Sequence, residues 1–262
     1  MADICTQSDF QRWKKPEFCY LCGYTLGDGT PLNSDHCPPK GMFAVADRQN
    51  YPLLFKVHAK CNHNWHRRDE QMAIFFDYLH GGTKASNPEL QKKLTLLRVQ
   101  NDQGIFQAIS NFPLRPLAYR VIRGMHALLY GTYLPERTQH HVHYPIPEVD
   151  FNNQYRPVQN EMQTYSFAKA LCTAQKTNTC DRVFAYNRQF KYVCTWHQFD
   201  NGDPLCIFAF DIYRFHKFAI DIEDFTEAFV GCYTVGDVPI AATWCSKLEV
   251  EHTKREVLYP LL

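Results

Sequence analysis

The sequence predicts an α+β protein, and three observations carry that prediction. Near the start, Cys19-x2-Cys22 and His58-x2-Cys61 form two ligand-type half-sites that close on a helical run. Helical spacing of apolar residues continues through the middle of the chain. After about residue 180 the pattern changes to short, strand-like runs separated by turn residues.

The half-sites come first. Each offers two soft or borderline ligands two residues apart, and together they make the Cys3His set that a structural, tetrahedral zinc site requires. Gly23 directly follows the second cysteine, where a residue free of Cβ lets the backbone turn beneath a metal. Such an ion would tie residues 19–22 to residues 58–61 and fold the intervening segment, which holds Asp35 and His36, into a compact loop. His58 is the least certain ligand by type, since a histidine closing Leu53-Leu54-Phe55-Lys56-Val57 also suits a strand end; Cys37 and Cys5 are the competing fourth ligands.

Residues Asn62 to His80 follow, with Trp65, Met72, Phe75, Phe76 and Leu79 largely at helical spacing and Gly81-Gly82 as the stop. A polar joint from Thr83 to Pro88 suggests a boundary, giving units 1–82 and 83–262. Helices are expected at about 88–110 and 114–131, the second started near Pro113 and ended by Gly131. Arg120, Arg123 and His126 share a face of that helix and read as a solvated or capping face. Leu134 to Pro157 is proline-punctuated and reads as an extended connection, with His140-His141-Val142-His143 as exposed loop histidines. A further helix at about 158–175 precedes strand-like runs Arg182–Tyr186, Phe190–His197, Leu205–Phe210 and Phe215–Ile222, with Asn201-Gly202-Asp203 as a hairpin turn.

Composition limits the function classes. The formal net charge is +1 and the pI about 7.6, so global charge neither demands nor excludes a nucleic-acid partner. Met1 to Lys15 lacks an apolar signal core, and no stretch approaches the roughly 18 apolar residues of a membrane span, so a cytoplasmic protein without membrane partner is expected. Eleven cysteines, an odd number with no export signal, fit a reducing compartment better than a disulfide framework. Those outside the half-sites and Cys5, namely Cys37, Cys172, Cys180, Cys194, Cys206, Cys232 and Cys245, read as small buried hydrophobes.

Taken in order, Cys-x2-Cys-Gly, then Asp35-His36 followed by Cys37-Pro38-Pro39-Lys40, then a ligand pair ending in Cys61-Asn62, resembles the HNH endonuclease family over about residues 17–70. The resemblance implies a zinc-supported ββα-metal module, here followed by a helical segment and a mixed α+β C-terminal domain. It implies phosphodiester hydrolysis in nucleic acid, DNA preferred, with His36 as general base and Asp35 holding a catalytic Mg²⁺ or Mn²⁺. Asn62 is the expected second ligand to that ion, joined by His66 one turn on, and Asn50 is the candidate for the middle Asn of the motif. Nucleic-acid contact is expected from Lys40, Arg48, Lys56, Lys60, Arg67 and Arg68. His58 in place of the family's usual third Cys is a mild departure; Asn62 in place of a final His favours Mg²⁺ or Mn²⁺ over later metals. The segment Ala118–Gly131 also resembles the helical part following such modules in some HNH-type proteins. Residues 83–262 are left to targeting, a regulatory partner or homo-oligomer formation. Another class stays open, a non-catalytic zinc-binding module that contacts nucleic acid or protein. A cysteine hydrolase built on Cys37 is disfavoured, because adjacent residues of an extended chain face opposite ways.

Overall fold

The chain was analysed as a computed structural model, which describes residues 2–43, 45–48, 53–79, 95–101, 104–110, 114–135, 138, 140–143, 148–149, 155–156, 161–198, 203–212, 229–235 and 256–260. Helices and strands are mixed, as the sequence predicts. No helix among the described residues is long and apolar enough to cross a membrane.

A six-stranded sheet dominates the fold. Its order is β1 (Asp3–Ile4), β9 (Asp181–Ala185), β10 (Phe190–Gln198), β11 (Pro204–Ile212), β12 (Phe229–Thr234) and β6 (His140–His143). The pairs are antiparallel except β1 with β9. Strand alternation sends successive side chains to opposite faces, and both faces here are covered. Tyr192, Cys194, Cys206, Phe208, Phe210 and Tyr233 enter one core; Val193, Leu205, Ile207, Ala209, Val230 and Cys232 enter the other. The second face is capped by helix α4 (Glu161–Lys176) through Phe167, Leu171 and Cys172. Double burial explains why the central strands read as nearly unbroken apolar runs.

The first face receives helix α3 (Leu114–Tyr130), which is buried almost all round by Leu117, Ala118, Val121, Ile122, Met125, Leu128 and Leu129. It ends where Gly131 takes φ +64° and donates its amide to Ala127. The expected solvated face is corrected here: Arg120, Arg123 and His126 are all buried. His126 lies between the Tyr233 and Thr132 hydroxyls at 3.0 and 2.9 Å, and burial pushes its pKa down to about 4.

Beyond α3 lies the N-terminal region. Strands β2 (Leu32–His36) and β3 (Leu54–His58) form an antiparallel hairpin that runs directly into α2 (Ala59–Leu79). Helix α2 begins three residues before the expected Asn62, so Cys61 falls in its first turn. One hydrophobic core runs across the expected boundary after residue 82, joining Phe55, Val57, Met72 and Phe76 to α3 and to the first face of the large sheet. Strand β1 adds to that sheet, and Trp13 donates its indole N–H to the Leu128 carbonyl at 2.7 Å.

Two further expectations are corrected. The helix at 88–110 is instead a hairpin of β4 (Thr95–Asn101) and β5 (Gly104–Ser110) within a second sheet, ordered β4, β5, β13 (Glu256–Pro260), β7 (Glu148–Val149) and β8 (Tyr155–Arg156). Its leucines fit either period, but Thr95, Val99, Ile105 and Ile109 are β-branched, and Asn101 and Gly104 favour a turn. The histidine cluster is likewise not a loop: His140–His143 is β6 at the edge of the large sheet, with His140 stacked on Tyr119 at 4.9 Å. Strands at 181–185, 190–198 and 204–212 follow the expected runs, whereas Phe215–Ile222, the Asn201-Gly202 turn and Cys245 lie outside the described residues. The other cysteines read as hydrophobes are buried.

Gly124 faces the N-terminal region from α3, and a Cβ at this position would overlap the buried Cys37 Sγ. Gly124→Ala should therefore destabilise the protein by about 1–3 kcal/mol through overpacking, despite the gain of about 1 kcal/mol in helix propensity. Urea denaturation of the two proteins checks this.

Candidate metal centre and the hairpin it supports

Cys19, Cys22, His58 and Cys61 converge, with one ligand atom from each lying within 4.8 Å of all the others. The group can hold a metal ion, and its donor chemistry is that of structural zinc. The turn that presents the first pair is locally determined. The amides of Cys22 and Gly23 both donate to the Cys19 carbonyl, at 3.2 and 2.7 Å, and Gly23 takes φ +83°. Any Cβ at Gly23 would also meet the Tyr133 ring at 2.7 Å, so the position demands glycine twice over. The second pair spans the junction of β3 with α2, so an ion would pin the strand-to-helix joint to the knuckle.

His58 Nδ1 lies 3.3 Å from Cys22 Sγ, while its buried Nε2 makes no hydrogen bond and has the Asp28 carboxylate at 3.9 Å. Contact with Cys22 raises the His58 pKa, and Asp28 adds to that. Burial raises the Cys19 thiol, and burial together with the neighbouring sulfurs pushes Cys61 up to about 12. At Cys22, burial is outweighed by hydrogen bonds from the Tyr24 amide and from His58, leaving that thiol lowered. The competing ligands stand elsewhere. Cys37 is packed under the Arg120 carbonyl at 3.6 Å, and Cys5 binds the Asp3 carboxylate at 2.8 Å.

The hairpin places the two central residues differently. Asp35 is opposite Phe55 and buried; His36 is opposite Leu54 and half-buried at the end of β2. Alternation thus turns them to opposite faces. Asp35 Oδ2 accepts the Tyr20 hydroxyl at 2.5 Å and Oδ1 accepts Arg120 Nη2 at 2.6 Å. Arg120 is fully buried, donates also to Tyr20 Oη at 3.1 Å and to Asp69 of α2, and stacks on Trp65 with its guanidinium carbon 5.0 Å from the ring centre. Burial pushes the Asp69 carboxyl up to about 6 against the pull of Arg120, with the Asp35 charge adding to the rise. His36 moves the other way: burial and then the Lys40 cation lower its pKa, with Asp35 opposing, so the imidazole is neutral at pH 7.

The expected Mg²⁺ or Mn²⁺ ligands differ in their surroundings. Asp35 already carries an ion pair, and His66 is exposed with Glu70 Oε1 3.6 Å away. The Cys3His set is the one group of three or more His, Cys, Asp or Glu side chains positioned for a metal among the described residues. Asn62 sits half-buried in the first turn of α2, and Asn50 lies outside the described residues. Of the expected phosphate contacts, Lys40, Lys56, Lys60, Arg67 and Arg68 are exposed; Arg48 is half-buried and donates to the Phe43 carbonyl at 2.9 Å. Compared with known proteins, the chain matches no family model, no curated protein and no solved structure.

Tyr20, Asp69 and Arg120 were not among the expected site residues. One signal did exist: Arg120 sits inside the apolar sequence Leu117-Ala118-Tyr119-Arg120-Val121-Ile122, where a solvated arginine has no place.

Metal analysis should find about one zinc per chain, reduced to a trace by Cys61→Ser. Because thiolates and a neutral imidazole are the ligand forms, zinc binding at pH 7 should release protons and affinity should fall as the pH is lowered from 7 to 6, as measured by chelator competition.

Proposed function

We propose that the protein is a nuclease of the ββα-metal type, hydrolysing phosphodiester bonds with His36 as general base. One observation carries the reading: a hairpin whose first strand ends in His36 has a second strand that runs straight into a helix, and that strand–helix joint belongs to a Cys3His cluster shared with a knuckle. Burial and Lys40 keep the imidazole neutral, the state needed to accept a proton from the attacking water. Lys56 stands on the same outward face as His36, its Nζ 3.2 Å from Ser34 Oγ, and offers a cation to the substrate phosphate. Lys40, Lys60, Arg67 and Arg68 extend the cationic surface. The preference for DNA rests on the family resemblance.

A second reading, a non-catalytic zinc module that binds nucleic acid or protein, is favoured by the one observation that Asp35 is locked in an ion pair. Plasmid nicking separates the two. With Mg²⁺ or Mn²⁺ the protein should nick DNA, and His36→Ala should lower the rate by at least about 10² while zinc content is retained. Tight binding of DNA or RNA without cleavage would select the interaction module.

The pH dependence has a defined sign. A base works when deprotonated, and the His36 pKa is depressed below its ordinary 6.5. The acidic limb of kcat/KM should accordingly have its midpoint below 6.5.

A further inference from the structure

Residues beyond the N-terminal module grip the segment around His36 at two points, one on either side of it. On the N-terminal side, Arg120 of α3 holds Asp35, the residue immediately before His36, and reaches Tyr20 beside the knuckle and Asp69 on α2. Its guanidinium thus joins knuckle, hairpin and helix through three separate acceptors, all from residues far away in sequence. On the C-terminal side, the β9–β10 turn reaches Pro38, Phe43 and Asp47. Tyr186 donates its hydroxyl to the Pro38 carbonyl at 3.0 Å and stacks on Phe43, ring centres 4.0 Å apart and 11° from parallel. Asn187 and Gln189 both donate to the Asp47 carboxylate. In that turn Tyr186, Asn187 and Arg188 take φ of 51°, 55° and 63° in succession, a backbone course that non-glycine residues adopt at a cost and that the surrounding contacts must sustain.

We infer that residues beyond the metal-stapled module act as an internal clamp that positions the general base, with Arg120 and Tyr186 as its positioning residues. This rests on the nuclease reading of His36. The clamp gives the C-terminal sheet a role in the reaction without touching substrate. An ion at residues 58–61 fixes the far end of the β2–β3 hairpin. His36 is at the other end, in register with Leu54, where the Cys37 amide donates to the Leu53 carbonyl and Tyr20 donates to Asp35, and where α3 and the β9–β10 turn add their grip on residues 35, 38, 43 and 47. Because a base displaced by about 1 Å can cost on the order of 10² in rate, a grip at that end acts on turnover and not on substrate affinity.

The test uses the zinc-loaded protein with Arg120→Lys, which keeps the charge but cannot serve three acceptors from one planar fork, and Tyr186→Phe, which keeps the Phe43 stack and deletes the hydroxyl's bonds to Pro38 and to the Leu53 backbone. Each should lower kcat at least about 10-fold with KM held within about 2-fold and zinc content unchanged. A folded, zinc-loaded variant with wild-type kcat overturns the clamp. If Arg120→Lys fails to fold, Tyr186→Phe decides. Should the wild-type protein cleave nothing, the nuclease reading fails, and amide hydrogen exchange decides the clamp separately. Exchange faster in residues 32–37 of the variants than in the wild type, with β10 and β11 unchanged, supports it; equal exchange overturns it.

Discussion

A guanidinium removed from water must be surrounded by acceptors, and that single obligation at Arg120 organises much of this molecule. Its partners are two carboxylates, a phenol and an indole face, drawn from the knuckle, β2 and α2. Taking two charges out of water costs several kcal/mol per ion, so such a network is weak evidence for stability. What it fixes is geometry: wrong packings of α3 on the hairpin would leave a buried cation or two buried anions alone. The excess of one negative charge in the trio is carried by Asp69, whose pKa rises while Asp35 keeps both donors. The proposed metal staple constrains the same hairpin from the opposite end, and the two devices are chemically independent. One depends on thiolates and hence on metal and pH; the other depends on α3 being docked.

Local features of the site were legible in the sequence, long-range ones were not. The Cys3His set could be read because its half-sites obey a short spacing that the chemistry of a tetrahedral ion imposes, and Gly23 because a tight turn asks for it. Helices at 114–130 and 161–176 followed from periodicity and from Gly131. The 95–110 hairpin was missed because Leu96, Leu97, Phe106 and Ile109 suit a helical period as well as an alternating one, leaving only the β-branched residues to decide. Asp35 is given a metal by the family resemblance alone, while the structure shows it bonded to partners 15 and 85 positions away. Nothing in a spacing rule reports such a pair. The same holds for Tyr186, whose contact with Pro38 crosses most of the chain.

The large sheet carries a consequence for how the molecule behaves in company. A sheet covered on both faces meets other chains only along its margins, and exposed margins recruit foreign strands. Among the described residues both margins are short. The strand on one side is two residues long, with Asp3 and Arg182 paired across it at 2.9 Å; on the other side lies a four-residue run containing three histidines. Salt and short length leave little ladder for an incoming backbone to copy, so the most apolar part of the protein is also poorly suited to nucleating fibrils.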